Sequence, residues 1–482
     1  MPATPIEFPT SSLHFFLPGH PPTESQGRLL NVYLEQEKEQ GIYKRVPGTQ
    51  LFTDVGADFP RGFIESDGFV YGAYEDCVKR IDSAGNVTTL SGALPGIDRV
   101  TWAKNNQQAT PPRGLVVVSE LGAYSVTPTT VAAYPDGDLA GSPTSVCHLD
   151  GYILFTYGNG RIVATGLNDL AVDPLSMTTA EANPDGLLRG IVSGRQLFAM
   201  GSASIEVYQN VGSSPFPLAR AAVIPVGLIG TFAAAGGNET DGWDQTPLFV
   251  ASDGTVRHFK GYEPVIVSTR AVEHFIASIE DKSTLTAYVY TFFGNSIWGL
   301  RADGLTPQER CWEYNTSTGN WHERQSQGFL TWRGHRTILA FDKWLVGDVA
   351  TTQLRAIEAD VHTEHFEQIP CRIESKVMRN FPERIAVSRA DFSFAPGVGI
   401  ATGRDPIQTD PVTEISWSDD GGATWSRPLR RTLGRQGMYG WDVRVNRTGL
   451  TTKAGRRWRV DFADPVPVAF FGATMDVEAR QT

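Results

Sequence analysis

The sequence predicts an all-β protein with a β-propeller-like body, a C-terminal β-sandwich-like domain and an irregular N-terminal arm. Three observations predict it. First, Gly and Pro together make up 79 of 482 residues, which favours many turns and short strands over long helices. Second, apolar or alternating runs recur every 8–12 residues between Asp-Gly, Asn-Gly and Gly-Asn pairs, as in Gly62–Tyr74, Val146–Gly166 and Pro247–Phe259. Such pairs supply the positive φ angles of two-residue hairpin turns. Third, Trp312-Glu313-Tyr314-Asn315 and Thr318-Gly319-Asn320-Trp321 place aromatics on two runs joined by a turn. This is the layout of a kelch-like blade, whose aromatics pack between neighbouring blades. No strict repeat at 40–50 residues is visible.

Taken in order, residues 1–60 open with scattered prolines, then a strand-like Leu29–Leu34, an acidic stretch Glu35–Gln40, a second strand-like piece Gly41–Arg45 and the turn pair Pro47-Gly48. This reads as an arm that folds against something else. Residues 61–365 form the propeller-like body. Within it Val272, Phe275, Ile276 and Ile279 fall on one helical face, with Ser268 or Thr269 as candidate cap. From 366 to 482 strand-like runs recur at Arg372–Val377, Ile385–Phe394, Glu414–Trp417, Trp441–Val445, Trp458–Phe462 and Val466–Val477, as in a sandwich.

Charge is uneven. The chain carries −11 overall, yet residues 421–460 hold ten bases against one acid, Asp442. That is a local +9 set against −20 elsewhere. Arg427, Arg430, Arg431, Arg456, Arg457 and Arg459 form a candidate docking patch for an acidic partner. The alternative is that these arginines pair with acids elsewhere in the fold. Cys77, Cys147, Cys311 and Cys371 are dispersed and form no CxxC pair, so they read as reduced thiols rather than zinc ligands. His362 and His365 lack a third ligand and do not fit H-E-x-x-H. No signal-peptide pattern opens the sequence, and no run approaches the ~18 apolar residues of a membrane span. The expectation is therefore no membrane insertion, no metal and no cofactor.

Ser418, Asp420, Gly422, Thr424 and Trp425 fit the Asp-box pattern S-x-D-x-G-x-T-W. It is a hairpin device in which Ser and Asp side chains bond turn amides and the Trp packs beneath. It occurs once, and no catalytic constellation accompanies it. A glycan-binding or glycan-cleaving, sialidase-like propeller is accordingly kept as the second functional reading, on this box and the chain's 50 aromatics.

A paired motif carries more. Pro184-Asp185-Gly186 is followed by Gly201-Ser202-Ala203-Ser204-Ile205-Glu206-Val207-Tyr208. With Asn31-Val32-Tyr33, Arg45-Val46-Pro47-Gly48 and the Arg-rich stretch before the last strand, it resembles the tail hub (nozzle) proteins of short-tailed bacteriophages, also called packaged-DNA stabilisation proteins. The Asp box is not part of that family's pattern. In this sequence the resemblance makes Pro184, Asp185, Gly186, Gly201, Ser202, Ile205, Glu206 and Tyr208 fold-keeping, with Asp185-Gly186 a turn and Ile205 to Tyr208 a strand. It implies a structural, non-enzymatic virion protein of the tail, assembled in the host cytoplasm. The expected assembly is a homohexameric ring below the portal and head-to-tail adaptor, docking tailspikes or tail fibres, with a needle or plug at its far end. Genomic dsDNA would pass through the lumen without specific binding. The acidic balance suits a surface past which DNA slides, although it serves plain solubility equally.

Overall fold

A computed structural model describes residues 3–14, 25–37, 40–57, 59–107, 113–180, 183, 185–239, 241–303 and 310–480. Among these residues, seven four-stranded antiparallel blades surround one axis. Their innermost strands are Pro60–Ser66, Thr101–Lys104, Ser145–Leu149, Leu187–Ser193, Ala234–Ala235, Leu285–Phe292 and Gly334–Ala340. Neighbouring inner strands pack side by side, with the short 3-10 turn Gly237–Glu239 serving between blades 4 and 5, and the last inner strand packs back against the first. The chain belongs to the β-propeller class that the turn spacing predicts. The blades begin 41 to 51 residues apart, a period the sequence hides because each blade meets its neighbours with different side chains.

Propeller packing explains why several strands read as continuous apolar runs. In blade 2, Leu115 and Val117 enter the core shared with blade 1, while Val116 and Val118 enter the one shared with blade 3. In blade 3, Ile153 and Phe155 face blade 2 and Leu154 faces blade 4. A blade buried on both faces has no solvent side to demand polar alternation. Trp312 and Trp321 of blade 6 are fully buried in the largest core. The Trp321 indole donates to the Val267 carbonyl behind blade 5 at 2.7 Å.

Two devices tie the ends together. Gly48–Asp54 pairs with Gln353–Glu358 to complete blade 7, so the ring is closed by the N-terminal segment. Arg28–Leu30 lies between Asn320–Arg324 of blade 6, in parallel, and Cys371–Glu374, antiparallel. Blade 6 thereby continues into the C-terminal body as one nine-stranded sheet. That body is a sandwich. One layer is Arg28–Leu30, Cys371–Glu374, Arg457–Phe462, Val412–Ser418 and Leu429–Thr432; the other combines Thr4–Ile6, Val32–Glu37, Gln40–Arg45, Ala469–Arg480, Arg384–Phe394 and Val443–Leu450. Ile373, Ile415, Val460, Val387, Phe392, Val445 and Phe470 fill the space between them. The described parts of residues 1–60 are thus distributed over both bodies rather than forming one arm.

The helix spans Arg270–Ser278 and buries Val272, Phe275 and Ile276 in the largest core. Thr269 occupies the N-cap without a side-chain cap bond. Ser268 instead donates to Glu273 in the first turn at 2.8 Å.

Candidate functional site

The paired signature is one physical object. Asp185 reaches from the entrance of blade 4 to the turn between its second and third strands. Its carboxylate accepts from the amides of Ala203 (2.7 Å) and Ser204 (3.0 Å) and from the Ser204 hydroxyl (3.2 Å). Gly201 is fixed by this contact, since a Cβ there would overlap the Asp185 carboxylate. The Asp185-Gly186 pair is not a turn, contrary to the sequence expectation. It leads directly into Leu187–Ser193, and Gly186 is needed because a Cβ would collide with the Gly158 carbonyl of blade 3. Ser202 lies exposed on the turn, held against Gly227. Ile205 and Tyr208 are buried strand residues facing opposite sides of the blade. Buried Glu206 accepts from the Tyr208 hydroxyl at 2.7 Å and from Arg220 at 3.2 Å. Pro184 lies outside the described residues.

The Asp box and the arginine patch also prove to be joined, and both belong to the sandwich rather than to a blade. Ser418 Oγ accepts from the Gly422 amide at 2.8 Å, and Asp420 accepts from the Thr424 amide at 2.9 Å and its hydroxyl. Burial pushes the Asp420 carboxyl up slightly, but these bonds outweigh it and hold the group at about 2. Trp425 lies under the Arg459 guanidinium, whose carbon is 3.6 Å from the ring centroid. Arg456 clasps Asp419 through two bonds of 2.8 and 3.0 Å. Arg457 bonds the Gly421 carbonyl and, at 3.1 Å, Glu374, which Arg459 also holds. Arg456 and Arg457 are buried, so these two are structural clasps and leave the docking patch. Arg431 is half-buried and bonds the Arg444 carbonyl. Arg427 and Arg430 remain exposed, Arg430 with a loose contact to Glu414 at 3.6 Å. Of the ten bases in this segment, Arg456, Arg457 and Arg459 are spent on acids of the sandwich, while Arg427, Arg430, Arg435, Arg447 and Lys453 stay exposed.

A charged seam at the junction of the two bodies escapes sequence reasoning. Arg28 donates to Glu323 of blade 6 through bonds of 3.1 and 2.7 Å and lies in register with Glu374. Burial would raise the Glu374 carboxyl, but Arg459, Arg28 and Arg457 overcome it and hold it below its usual range. In blade 6, fully buried Glu313 accepts from Tyr288 (2.8 Å), Tyr290 (3.0 Å) and His322 (2.8 Å). His365 pairs with Asp348, while the His362 ring lines the cleft between the bodies. The one local signal that could have marked the Glu313 network is the carboxylate set between the aromatics Trp312 and Tyr314.

The propeller axis holds a cavity of about 440 Å³ lined by residues from all seven blades, among them Trp102, His148, Arg189, Phe232, Tyr288 and Arg336. That is the size of a small-molecule pocket and offers no path for a duplex. Among the described residues no group of three or more His, Cys, Asp or Glu side chains is placed to hold a metal ion.

Comparison with known proteins gives a family match over most of the chain. The sequence profile of the family described as "Bacteriophage P22 Gp10, beta-propeller" matches residues 28–362. The match runs from the strand that joins the two bodies through the last blade and stops before the C-terminal part of the sandwich. No curated protein matches. Among solved structures, the WD40 β-propeller domain of Doa1 is 10% identical with a TM-score of 0.40, covering 64% of this chain and 96% of its own. The computationally designed Ika8 protein is 13% identical at 0.39, covering 72% and 99%. Raptor of Chaetomium thermophilum is 10% identical at 0.42, covering 65% and 30%.

Proposed function

The chain belongs to the phage stabilisation family described as bacteriophage P22 Gp10, β-propeller, and from that membership we propose that it is a structural, non-enzymatic component of a short phage tail. Several copies form a ring below the portal and head-to-tail adaptor. The ring extends the DNA channel, helps retain the packaged genome and docks tailspikes or fibres, with a needle or plug closing its far end. The observation that carries this reading is the family match across the closed propeller. Supporting it, the propeller's own axis is too small for DNA, so a conduit requires the hole of a ring of protomers. The acidic chain, at −11, disfavours tight phosphate binding at that wall. The ring closure by Gly48–Asp54 and the shared nine-stranded sheet make each protomer a stiff part.

Mass photometry and negative-stain imaging of the purified protein with its adaptor test the reading. Rings are expected, hexameric by the family pattern; a monomer that never assembles would sink it. A narrower expectation concerns the surface arginines. R427E/R430E should leave the fold intact and weaken assembly in a salt-sensitive way, and unchanged assembly would remove these two residues from the interface. The Asp box sits on a sandwich hairpin and not in a blade, so the feature that motivated a sialidase-like reading lies away from the propeller.

A further inference from the structure

We infer that the axial cavity of the propeller binds a small oxyanion of the phosphate class at a wall formed by Arg336, Arg189 and Phe232. Three observations place it there. The first is the cavity itself, about 440 Å³ and lined by every blade.

The second is its charge pairing. Among the charged residues that line the cavity, Lys104 is shared by Glu65 and Asp241, Asp150 meets Arg195, and Arg189 meets Glu239 at 2.7 Å. Arg336 alone forms no ion pair or hydrogen bond among the described residues, and its Nη2 is buried without a partner. Asp303, whose charge acts on Arg336, is already taken by Arg99 and by His335 at 2.8 Å.

The third is convergence. The guanidinium carbons of Arg99, Arg189 and Arg336 lie 5.0, 5.4 and 5.5 Å from the centroid of the one Phe232 ring. Three cations thus crowd one ring together with two carboxylates, Asp303 and Glu239; of these, Arg189, Arg336 and Glu239 line the cavity and Arg99 and Asp303 lie behind it. Besides Arg336 Nη2, the Nε of Arg189 is also buried and unbonded. Those two atoms are sealed from the cavity, but Nε and Nη1 of Arg336 are neither sealed nor bonded among the described residues, and they are charged N–H donors of the kind oxyanions accept. With Asp303 and Glu239 already engaged by Arg99 and Arg189, Arg336 is left repelled by its neighbouring cations, an arrangement that a bound anion would relieve. Arg336 also sits at φ +59°, a conformation that side chains rarely adopt and that is retained here at the cavity wall.

The experiment is phosphate titration of the full chain by calorimetry and thermal melting, against sodium chloride of equal ionic strength, for wild type and Arg336→Met. Wild type should bind phosphate and melt several degrees higher with it. Arg336→Met should lose about tenfold or more of that affinity, while melting no lower than wild type without phosphate, since it removes an unpaired charge. No binding by wild type, or equal stabilisation of both proteins, would overturn the inference. If Arg336→Met does not fold, wild-type crystals soaked in selenate decide the matter. An anomalous peak within hydrogen-bond reach of Arg336 and Arg189 supports the site, and a cavity without one at saturating selenate overturns it.

Discussion

At the residue scale, the arginines of 421–460 show how poorly a charge count predicts a surface. Arg456 and Arg457 are adjacent in sequence and read as part of a basic patch, yet both side chains are buried and clasped by Asp419 and Glu374. Breaking a buried pair leaves its partner unpaired, so Arg456→Met should cost about 3–5 kcal/mol in urea denaturation. Arg427→Glu should stay within roughly ±0.5 kcal/mol, because that side chain is exposed. Asp185 is a comparable case on the propeller side. Its three bonds to one turn make Asp185→Ala a loss of about 2 kcal/mol, read as a lower urea midpoint at unchanged slope.

At the scale of elements, the blade is a sheet with two buried faces, and glycines mark where blades touch. Gly186 lets the entrance of blade 4 lie on the Gly158 carbonyl of blade 3. Gly186→Ala should therefore destabilise the protein by about 1–3 kcal/mol, although alanine favours a strand no less than glycine does. A melting temperature equal to wild type would show that the two blades can part at no cost. The Asp-box hairpin was legible from Ser418 to Trp425 because its bonds are local, within six residues of each other. The Glu313 network and the Arg28–Glu323 contact were not, since each needs strands whose partners lie far off in sequence.

At the scale of the whole molecule, buried histidines make stability depend on pH. Burial, above all, lowers His14 to about 4, His335 to about 3 and His362 to about 4. The unfolded chain takes up these protons as pH falls below about 6.5, whereas the folded one does so only near 3–4. Stability should thus decline progressively from pH 6.5 toward 4. Depressed carboxylates act lower. Burial pushes Asp348 up, but bonds from His365, the Ala350 amide and Arg333 bring it to about 2, so its contribution holds above about pH 4 and is lost on further acidification. Calorimetric melting at pH 8, 6, 5 and 4 checks this, and a flat profile between 7 and 4.5 would contradict it. Because one sheet runs from blade 6 into the sandwich, both bodies should melt in the same transition.

The sequence by itself determined the all-β class, the hairpins, the single helix and most of the C-terminal strands. All of these rest on turn chemistry and periodicity, interactions that close within a dozen residues. It also carried the paired motif from Asp185 to Tyr208, whose spacing is the reach of Asp185 across one blade. Only the tertiary structure decided that the described residues form seven blades, that Gly48–Asp54 closes the last one and that the described parts of residues 1–60 serve both bodies. It likewise decided which arginines are clasps, and that Arg336 lines the axial cavity without an ion pair among the described residues. Those outcomes depend on which strands become neighbours after long-range closure, and the pairing of a buried charge is fixed only when its surroundings are.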